Sequence, residues 1–193
     1  MAFTDPKIAD MICELENNPH IATLTYPSGL FEYFDSNKEL EDKIATNGVF
    51  DQLDATRAII SKRFIGLTLK IYEHADLGGQ VITLNGPYLC PNMRNVYNVG
   101  IPSMLTDFND IISSFELTGR VQAVADYPLP AGQRGAIVTF FEDFNYEYGN
   151  ASFVINVDNP KISHNNFKKV KRCPSCSRNM NDRTSSIKLQ YLP

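Results

Sequence analysis

Two short oxygen-rich segments of the chain have the residue types and spacing to hold a metal ion. Residues 109–114 read Asn-Asp-Ile-Ile-Ser-Ser, and residues 181–186, 72 positions later, read Asn-Asp-Arg-Thr-Ser-Ser. Each hexamer offers amide, carboxylate and hydroxyl oxygens, which are the ligands that a hard cation such as Ca²⁺ prefers. Because the hexamer occurs twice, it predicts a pair of calcium sites on a repeated β unit. For either copy alone, a turn followed by a strand edge is the competing interpretation.

The elements that must position these hexamers also occur twice. Residues 67–72 alternate between apolar and polar as in a half-buried strand, and glycines 78 and 79 then turn the chain. Tyr72 precedes Asn109 by 37 residues, and Phe141 precedes Asn181 by 40. Four short antiparallel strands with one long return connection form a Greek key, and two Greek keys pack as a β-sandwich. The expected strands are 67–72, 80–84 and 111–117 in the first half, and 136–141, 152–157 and 185–191 in the second.

These motifs resemble those of the βγ-crystallin family. The family's Greek key begins with an aromatic residue, has an aromatic or apolar residue five positions later and a glycine two after that. Residues 72–79, Tyr-Glu-His-Ala-Asp-Leu-Gly-Gly, fit this pattern, and residues 141–149 fit it with one residue too many before Gly149. Both hexamers look like the calcium-binding signature of the microbial and invertebrate members. The resemblance covers about residues 67–192 and implies a mainly β fold of two Greek keys in a sandwich.

The resemblance also implies two reciprocal calcium sites, in which each hexamer gives ligands to both ions. Since each ion would directly meet about one carboxylate, we expect dissociation constants in the micromolar to sub-millimolar range. Ser114 and Ser186 are expected to hydrogen-bond the folded hairpins rather than the ions. The implied site residues are Asn109 and Asn181, Asp110 and Asp182 through carboxylates, Ser113 and Ser185 through hydroxyls, and Ile111, Arg183, Glu73 and Glu142 through main-chain carbonyls.

Residues 1–66 lie outside the resemblance and read as a mixed α/β extension. A helix is expected from residue 4, a strand at 21–26, a turn at 27–29 and a second helix from 35 or 36 to 45. Residues 52–63 are compatible with a third helix. We therefore divide the chain into this extension and a double Greek-key domain at 67–193.

Composition is that of an ordinary globular protein, with 43% apolar and 21% charged residues. The net charge of -4 argues against nucleic acid as the main partner. No apolar run approaches the length of about 18 residues that a membrane span needs, and no signal peptide is visible. A cytoplasmic location is therefore expected, with the cysteines as free thiols. No motif for catalysis is present, so the protein is expected not to be an enzyme.

Two other features of the sequence have competing interpretations. Cys173 and Cys176 have the CxxC spacing of a redox pair or half a zinc site, and a zinc site would need Cys90 and His164 as further ligands. Loop thiols or an incidental disulfide are the simpler interpretation. The basic run at 168–172 is either a solvated loop or a contact for nucleic acid or an acidic surface.

The primary functional hypothesis is a calcium-binding, non-enzymatic protein of structural or stress-related role, stabilised by two ions. The alternative is a self-assembling structural protein of intracellular particles. In that case the sandwich would be a scaffold, and residues 1–66 would join copies of the chain.

Overall fold

The computed structural model describes residues 20–46, 61–97, 105–106, 108–124, 134–147, 150–170, 179–181 and 183–192. Strands account for most of the secondary structure in these segments. They are β1 (Ala22–Thr25), β2 (Phe31–Phe34), β3 (Ser61–His74), β4 (Gly78–Asn85), β5 (Tyr88–Cys90), β6 (Val96–Tyr97), β7 (Leu105–Thr106), β8 (Ser114–Val124), β9 (Gly135–Phe141), β10 (Asn150–Asn156), β11 (Lys161–His164) and β12 (Ser186–Leu192). Helix α1 spans Asn37–Ala45, and 3-10 turns lie at Met93–Asn95, Phe144–Tyr146 and Phe167–Lys169.

Each sequence repeat contributes three strands to one of the two larger sheets and one strand to the other. Sheet A has the order β2-β1-β10-β9-β12-β5, and sheet B has the order β11-β8-β3-β4. The first repeat places β3, β4 and β8 in sheet B and sends β5 to pair with β12 in sheet A. The second repeat places β9, β10 and β12 in sheet A and sends β11 to pair with β8 in sheet B. The expected sandwich of two Greek keys is therefore confirmed.

A cluster of phenylalanines fills the space between the sheets. The ring of Phe115 lies 5.0 Å from Phe140, 4.6 Å from Phe153 and 5.7 Å from Phe167, measured between centroids. All four side chains are almost completely buried. Tilted and edge-to-face pairs at such distances are favourable for aromatic rings beyond the burial of their area. The rings come from both sheets and from the 3-10 turn after β11, so they hold the two repeats together.

Helix α1 covers part of the outer face of sheet A. The Ser36 hydroxyl accepts a hydrogen bond from the Glu39 amide at 3.2 Å, and the Glu39 carboxylate accepts one from the Asp35 amide at 2.9 Å. These bonds satisfy amides at the start of the helix, as capping requires. Leu40 and Ile44 then pack in an apolar cluster with residues of β1, β10 and β12. The second helix expected from the sequence is confirmed, and no helix in the described residues is long and apolar enough to cross a membrane.

The N-terminal segment contributes directly to sheet A. Strand β1 confirms the expected strand, and it pairs in parallel with β10 of the second repeat. Strand β3 begins at Ser61, six residues before the expected start at 67, because residues 61–64 continue the ladder with β8. The helix expected at 52–63 is therefore wrong for residues 61–63, and residues 52–60 lie outside the described part of the chain. The division at residue 66 stays a prediction, as does the helix expected from residue 4, which lies outside the described residues.

The strand expected at 111–117 begins three residues late. Asp110 has a φ angle of 58°, and the first ladder pair of β8 joins Ser114 to Tyr72. A left-handed residue directly before the strand turns the backbone, so residues 111–113 form the approach to the strand rather than its first part. The remaining strand of the first Greek key, for which no bounds were expected, is β5, with three residues between the strands expected at 80–84 and 111–117.

Candidate metal centre

The last serine of the first hexamer ties the strand to the folded hairpin after β3. The Ser114 hydroxyl donates to the His74 carbonyl at 2.6 Å and accepts from the Leu77 amide at 3.1 Å. Its side chain is fully buried. The hydroxyl therefore serves as both donor and acceptor within the hairpin, as expected from the sequence.

The last serine of the second hexamer makes the equivalent pair of bonds. The Ser186 hydroxyl donates to the Asp143 carbonyl at 2.5 Å and accepts from the Tyr146 amide at 3.1 Å. Ser186 is also fully buried. The expectation that these two serines hold the hairpins is therefore confirmed for both repeats.

Both hairpins have two consecutive residues with positive φ angles. The angles are 57° at Asp76 and 58° at Leu77, and 56° at Asn145 and 65° at Tyr146. Tyr146 thus stands where Leu77 stands, and the extra residue of the second repeat comes after it. Gly79 has a φ of 76°, and a Cβ there would lie 2.9 Å from the His74 ring, so the first hairpin requires glycine for two reasons. Gly149 lies outside the described residues.

The first serine of each hexamer is placed by its backbone. The Ser113 amide donates to the Tyr72 carbonyl at 3.0 Å, and the Ser185 amide donates to the Phe141 carbonyl at 2.9 Å. Tyr72 and Phe141 are the aromatic residues that begin the two motifs. The hexamers are therefore structurally equivalent as well as similar in sequence.

The carbonyl groups of these same serines connect the two repeats. Ser113 accepts from the Phe167 amide at 2.8 Å, and Ser185 accepts from the Met93 amide at 2.9 Å. Both carbonyls accept these cross-repeat hydrogen bonds, and the hydroxyl is the oxygen of each serine that the resemblance implies as a calcium ligand. That arrangement is compatible with the ligand role expected for the two hydroxyls.

A first candidate site is a surface cavity of about 460 Å³ between the hexamers. It is lined by four of the ten expected site residues, which come from both repeats: Glu73, Ile111, Ser113 and Asn181. Carbonyl, hydroxyl and amide oxygens from these residues match the chemistry of a calcium site. Lys168 lines the same cavity, so an ammonium group would oppose a bound cation.

A second candidate site lies where Asp110 of the first hexamer meets Ser185 of the second. The Ser185 hydroxyl is 3.1 Å from Oδ1 of Asp110, although 75 residues separate them. The Asp110 amide also donates to the Thr184 carbonyl at 3.1 Å, and the amide nitrogen of the Asn109 side chain donates to Oδ2 of Asp110 at 2.5 Å. The carboxylate of one hexamer therefore faces the hydroxyl of the other, as reciprocal sites require.

The remaining expected ligands are placed less specifically. Arg183 is exposed and Glu142 is half-buried directly after β9, while Asp182 lies outside the described residues. Within the described ranges, no group of three or more His, Cys, Asp or Glu residues could hold a metal ion. A site made mainly of carbonyl and hydroxyl oxygens does not need such a group.

The zinc alternative gains no support from the residues that can be placed. Cys90 is a buried free thiol in the core between the sheets, and its sulfur donates to the Asn92 carbonyl at 3.3 Å. Burial raises the pKa of the Cys90 thiol, which disfavours the thiolate that a metal requires. Cys173 and Cys176 lie outside the described part of the chain, so their role stays a prediction.

Four residues that line the first cavity were not among the expected site residues: His74, Ala75, Asn166 and Lys168. The Asn166 side chain accepts from the Lys168 amide at 2.9 Å and so caps the 3-10 turn that carries this lysine. Lys168 belongs to the basic run for which a solvated loop and a contact for an acidic partner were the two interpretations. The hydrogen bond from the Phe167 amide to the Ser113 carbonyl brings this turn beside the first hexamer.

Among the solved structures that this chain resembles are βγ-crystallin domains. One is a double mutant of the domain from Clostridium beijerinckii, with 20% identity and a TM-score of 0.32 over 64% of this chain and 96% of that chain. Another is a double mutant of clostrillin in complex with nickel, with 18% identity and a TM-score of 0.32 over 64% and 97%. A structure on the evolution of the eye-lens βγ-crystallin domain fold has 17% identity and a TM-score of 0.34 over 70% and 100%.

No protein-family model and no curated protein matches the chain. At these identities and TM-scores, the likeness to solved structures says nothing about ligands. The double Greek-key fold therefore rests on the chain's own strand order, and the candidate sites rest on its own contacts.

Proposed function

We propose that this protein is a non-enzymatic double Greek-key protein that binds two calcium ions and is stabilised by them. Its role is structural or stress-related, with calcium raising stability rather than assisting catalysis. The observation that carries the proposal is the meeting of the two hexamers in both candidate sites. A chance duplication of a polar hexamer would not by itself bring residues of both copies together.

The first ion would lie in the cavity beside Ser113. The Glu73 and Ile111 carbonyls and the Ser113 hydroxyl come from the first repeat, and Asn181 brings the second hexamer to the same cavity. Asp182, the carboxylate implied for this ion, follows Asn181 directly. The nearby Lys168 ammonium would weaken this site relative to the other.

The second ion would lie at the contact between Asp110 and Ser185. Their 3.1 Å hydrogen bond shows that a carboxylate and a hydroxyl from different repeats already share one location. A cation there would be bound by the Asp110 carboxylate and by the Ser185 hydroxyl oxygen. The hydroxyl would keep its proton and turn it away from the carboxylate. Arg183 and Glu142 would add only their backbone carbonyls, so the charge of their side chains matters little.

Calcium stabilises the fold by binding it in preference to the unfolded chain. At a free concentration of 100 times the dissociation constant, one site adds about 2.7 kcal/mol to the free energy of unfolding. The test is calorimetric titration with Ca²⁺, followed by melting curves in Ca²⁺, in chelator and in Mg²⁺. We expect saturable heat and a higher Tm in Ca²⁺ than in Mg²⁺, and the absence of both effects would disprove calcium binding.

Asp110→Asn separates calcium binding from folding. Asparagine tolerates the left-handed backbone conformation of residue 110 and keeps its shape, so the fold should survive. Removal of the carboxylate should weaken at least the second site about tenfold or more. Asp42→Asn, an exposed carboxylate on α1, is the matched control and should leave the titration unchanged.

Self-assembly remains the second candidate, and the edge of sheet A favours it. Among the described residues, β2 is the last strand of sheet A on this side. Leu30, directly before β2, and Phe31, its first residue, are 64% and 57% exposed. An open edge with exposed apolar side chains can pair with another copy of the chain. Leu30→Lys should lower the apparent mass in size-exclusion chromatography if copies join at this edge. An unchanged monomer in both proteins would refute assembly through β2.

A further inference from the structure

Sheet A extends past sheet B on the side of the N-terminal hairpin. Strands β1 and β2 continue sheet A beyond β10, whereas β11 is the last strand of sheet B within the described segments. Between this overhang and β11 lies a cleft of about 610 Å³, within the usual range of about 300–1,000 Å³ for small-molecule sites. This cleft lies apart from both candidate calcium sites and shares no residue with the first cavity.

Strand register decides which side chains of the overhang face the cleft. Thr23 and Thr25 pair with the β10 residues Ala151 and Phe153, whose side chains point into the core between the sheets. Their neighbours Ala22 and Leu24 instead pack in the cluster under α1. In β2, Phe31 and Tyr33 oppose Thr25 and Thr23 and therefore share their face.

One wall of the cleft therefore carries the aromatic rings of β2 and the threonine hydroxyls of β1 beside them. The Phe31 and Tyr33 rings lie 5.4 Å apart at an interplanar angle of 80°, an edge-to-face pair. Thr25 stands beside them on β1, and Ser163 lies on the opposite wall. Phe31 remains 57% exposed, so aromatic surface on this wall is accessible to a planar ligand.

The opposite wall carries a positive charge with no carboxylate beside it. Lys169 lines the cleft, and neither Asp nor Glu occurs among the described residues that line it. His164 also lies there, and its Nδ1 accepts from the Asn166 amide at 3.3 Å, so the neutral ring carries its proton on Nε2 as a donor. Burial and the nearby Lys169 lower the pKa of His164, which favours the neutral ring. The cleft therefore has a net positive charge and several hydrogen-bond donors.

We propose that this cleft binds a small planar organic anion, namely an aromatic ring with one carboxylate or an equivalent acidic group. The ring packs against Phe31 and Tyr33, and the acidic group pairs with the Lys169 ammonium. The Thr25 and Ser163 hydroxyls complete the hydrogen bonding. An uncharged ring would lose the ion pair, and an aliphatic acid would lose the aromatic contact.

Two consecutive lysines provide a matched control. Lys168 and Lys169 are both exposed on the 3-10 turn, which the buried Phe167 and Val170 fix on either side. Lys168 lines the candidate calcium cavity, and Lys169 lines the aromatic cleft. The same substitution at the two positions changes the same charge in different cavities.

The probe is 2-naphthoate, with its neutral analogue 2-naphthamide, titrated into the full chain in chelator. We expect saturable binding of 2-naphthoate and a dissociation constant about twofold to fivefold higher in Lys169→Met, as for the loss of one solvent-exposed charge pair. Lys168→Met should bind 2-naphthoate as the unmodified chain does, and Lys169→Met should not alter the affinity for 2-naphthamide. Phe31→Ala should weaken both probes.

The proposal is overturned if 2-naphthoate does not saturate a site, or if Lys168→Met weakens it as much as Lys169→Met. Equal losses for the neutral and charged probes in Lys169→Met would also overturn it. Melting curves of each variant show whether the fold is intact. Because the titrations are made in chelator, their outcome is independent of calcium binding.

Discussion

Replacement of Ser114 by alanine tests whether this serine holds the hairpin while the preceding Ser113 serves as a calcium ligand. Ser114→Ala removes a fully buried group that donates at 2.6 Å to His74 and accepts at 3.1 Å from Leu77. Two hydrogen bonds are lost, and a carbonyl and an amide lose their partner inside the hairpin. At about 1 kcal/mol for each bond, and more where a buried group is left unsatisfied, the free energy of unfolding should fall by about 2–3 kcal/mol. For a chain of this size, that corresponds to a Tm lower by about 5–10 °C.

Urea denaturation and thermal melting of Ser114→Ala and Ser113→Ala provide the comparison. Ser113→Ala keeps both backbone bonds of residue 113, so in chelator it should cost less than Ser114→Ala. Addition of Ca²⁺ should affect the two variants differently. Ser114→Ala should show the same rise in Tm as the unmodified chain, whereas Ser113→Ala should lose much of that rise. If the free energy of unfolding of Ser114→Ala lies within about 0.5 kcal/mol of that of the unmodified chain, the serine does not hold the hairpin and the two roles are refuted.

Three other substitutions test the surroundings of these sites. Lys168→Met should strengthen calcium binding about twofold to fivefold in calorimetry, because it removes a cation from the first cavity, whereas Lys169→Met should leave it unchanged. Gly119→Ala should cost about 3 kcal/mol in urea denaturation, since its Cβ would lie 2.0 Å from the buried Phe64 ring; a stable variant would contradict the packing of β8 on β3. His164, with its lowered pKa, favours the folded state above its unfolded pKa of about 6.5, so Tm should fall as the pH decreases through about 6.5 toward the folded pKa. His164→Gln should flatten that part of the Tm profile, and an unchanged slope would show that another group titrates.

Local pattern was sufficient for much of the fold. The alternation of β3, the Ser36 cap of α1 and the glycine of the first hairpin each follow from interactions within a few residues. The predictions were wrong or incomplete where pairing with a strand distant in sequence determines the local structure. Residues 61–63 are charged and polar enough to suit a helix or a strand, and only the ladder with β8 makes them a strand. Strand β5 has three residues, and it exists because β12 of the other repeat offers an edge.

The candidate site shows the same division. The sequence alone identified two oxygen-rich hexamers, because a pattern that recurs at a regular spacing is visible without a structure. The hairpin role of Ser114 and Ser186 followed from the resemblance to the βγ-crystallin family, and their hydrogen bonds confirm it. The sequence could not show that Asp110 meets Ser185, because that contact depends on exchange of the third strand between repeats. Nor could it separate Lys168 from Lys169, since adjacent residues enter different cavities only once Phe167 and Val170 are buried. Sequence therefore determined which groups the protein has, and the packing of the two sheets decided which of them share a site.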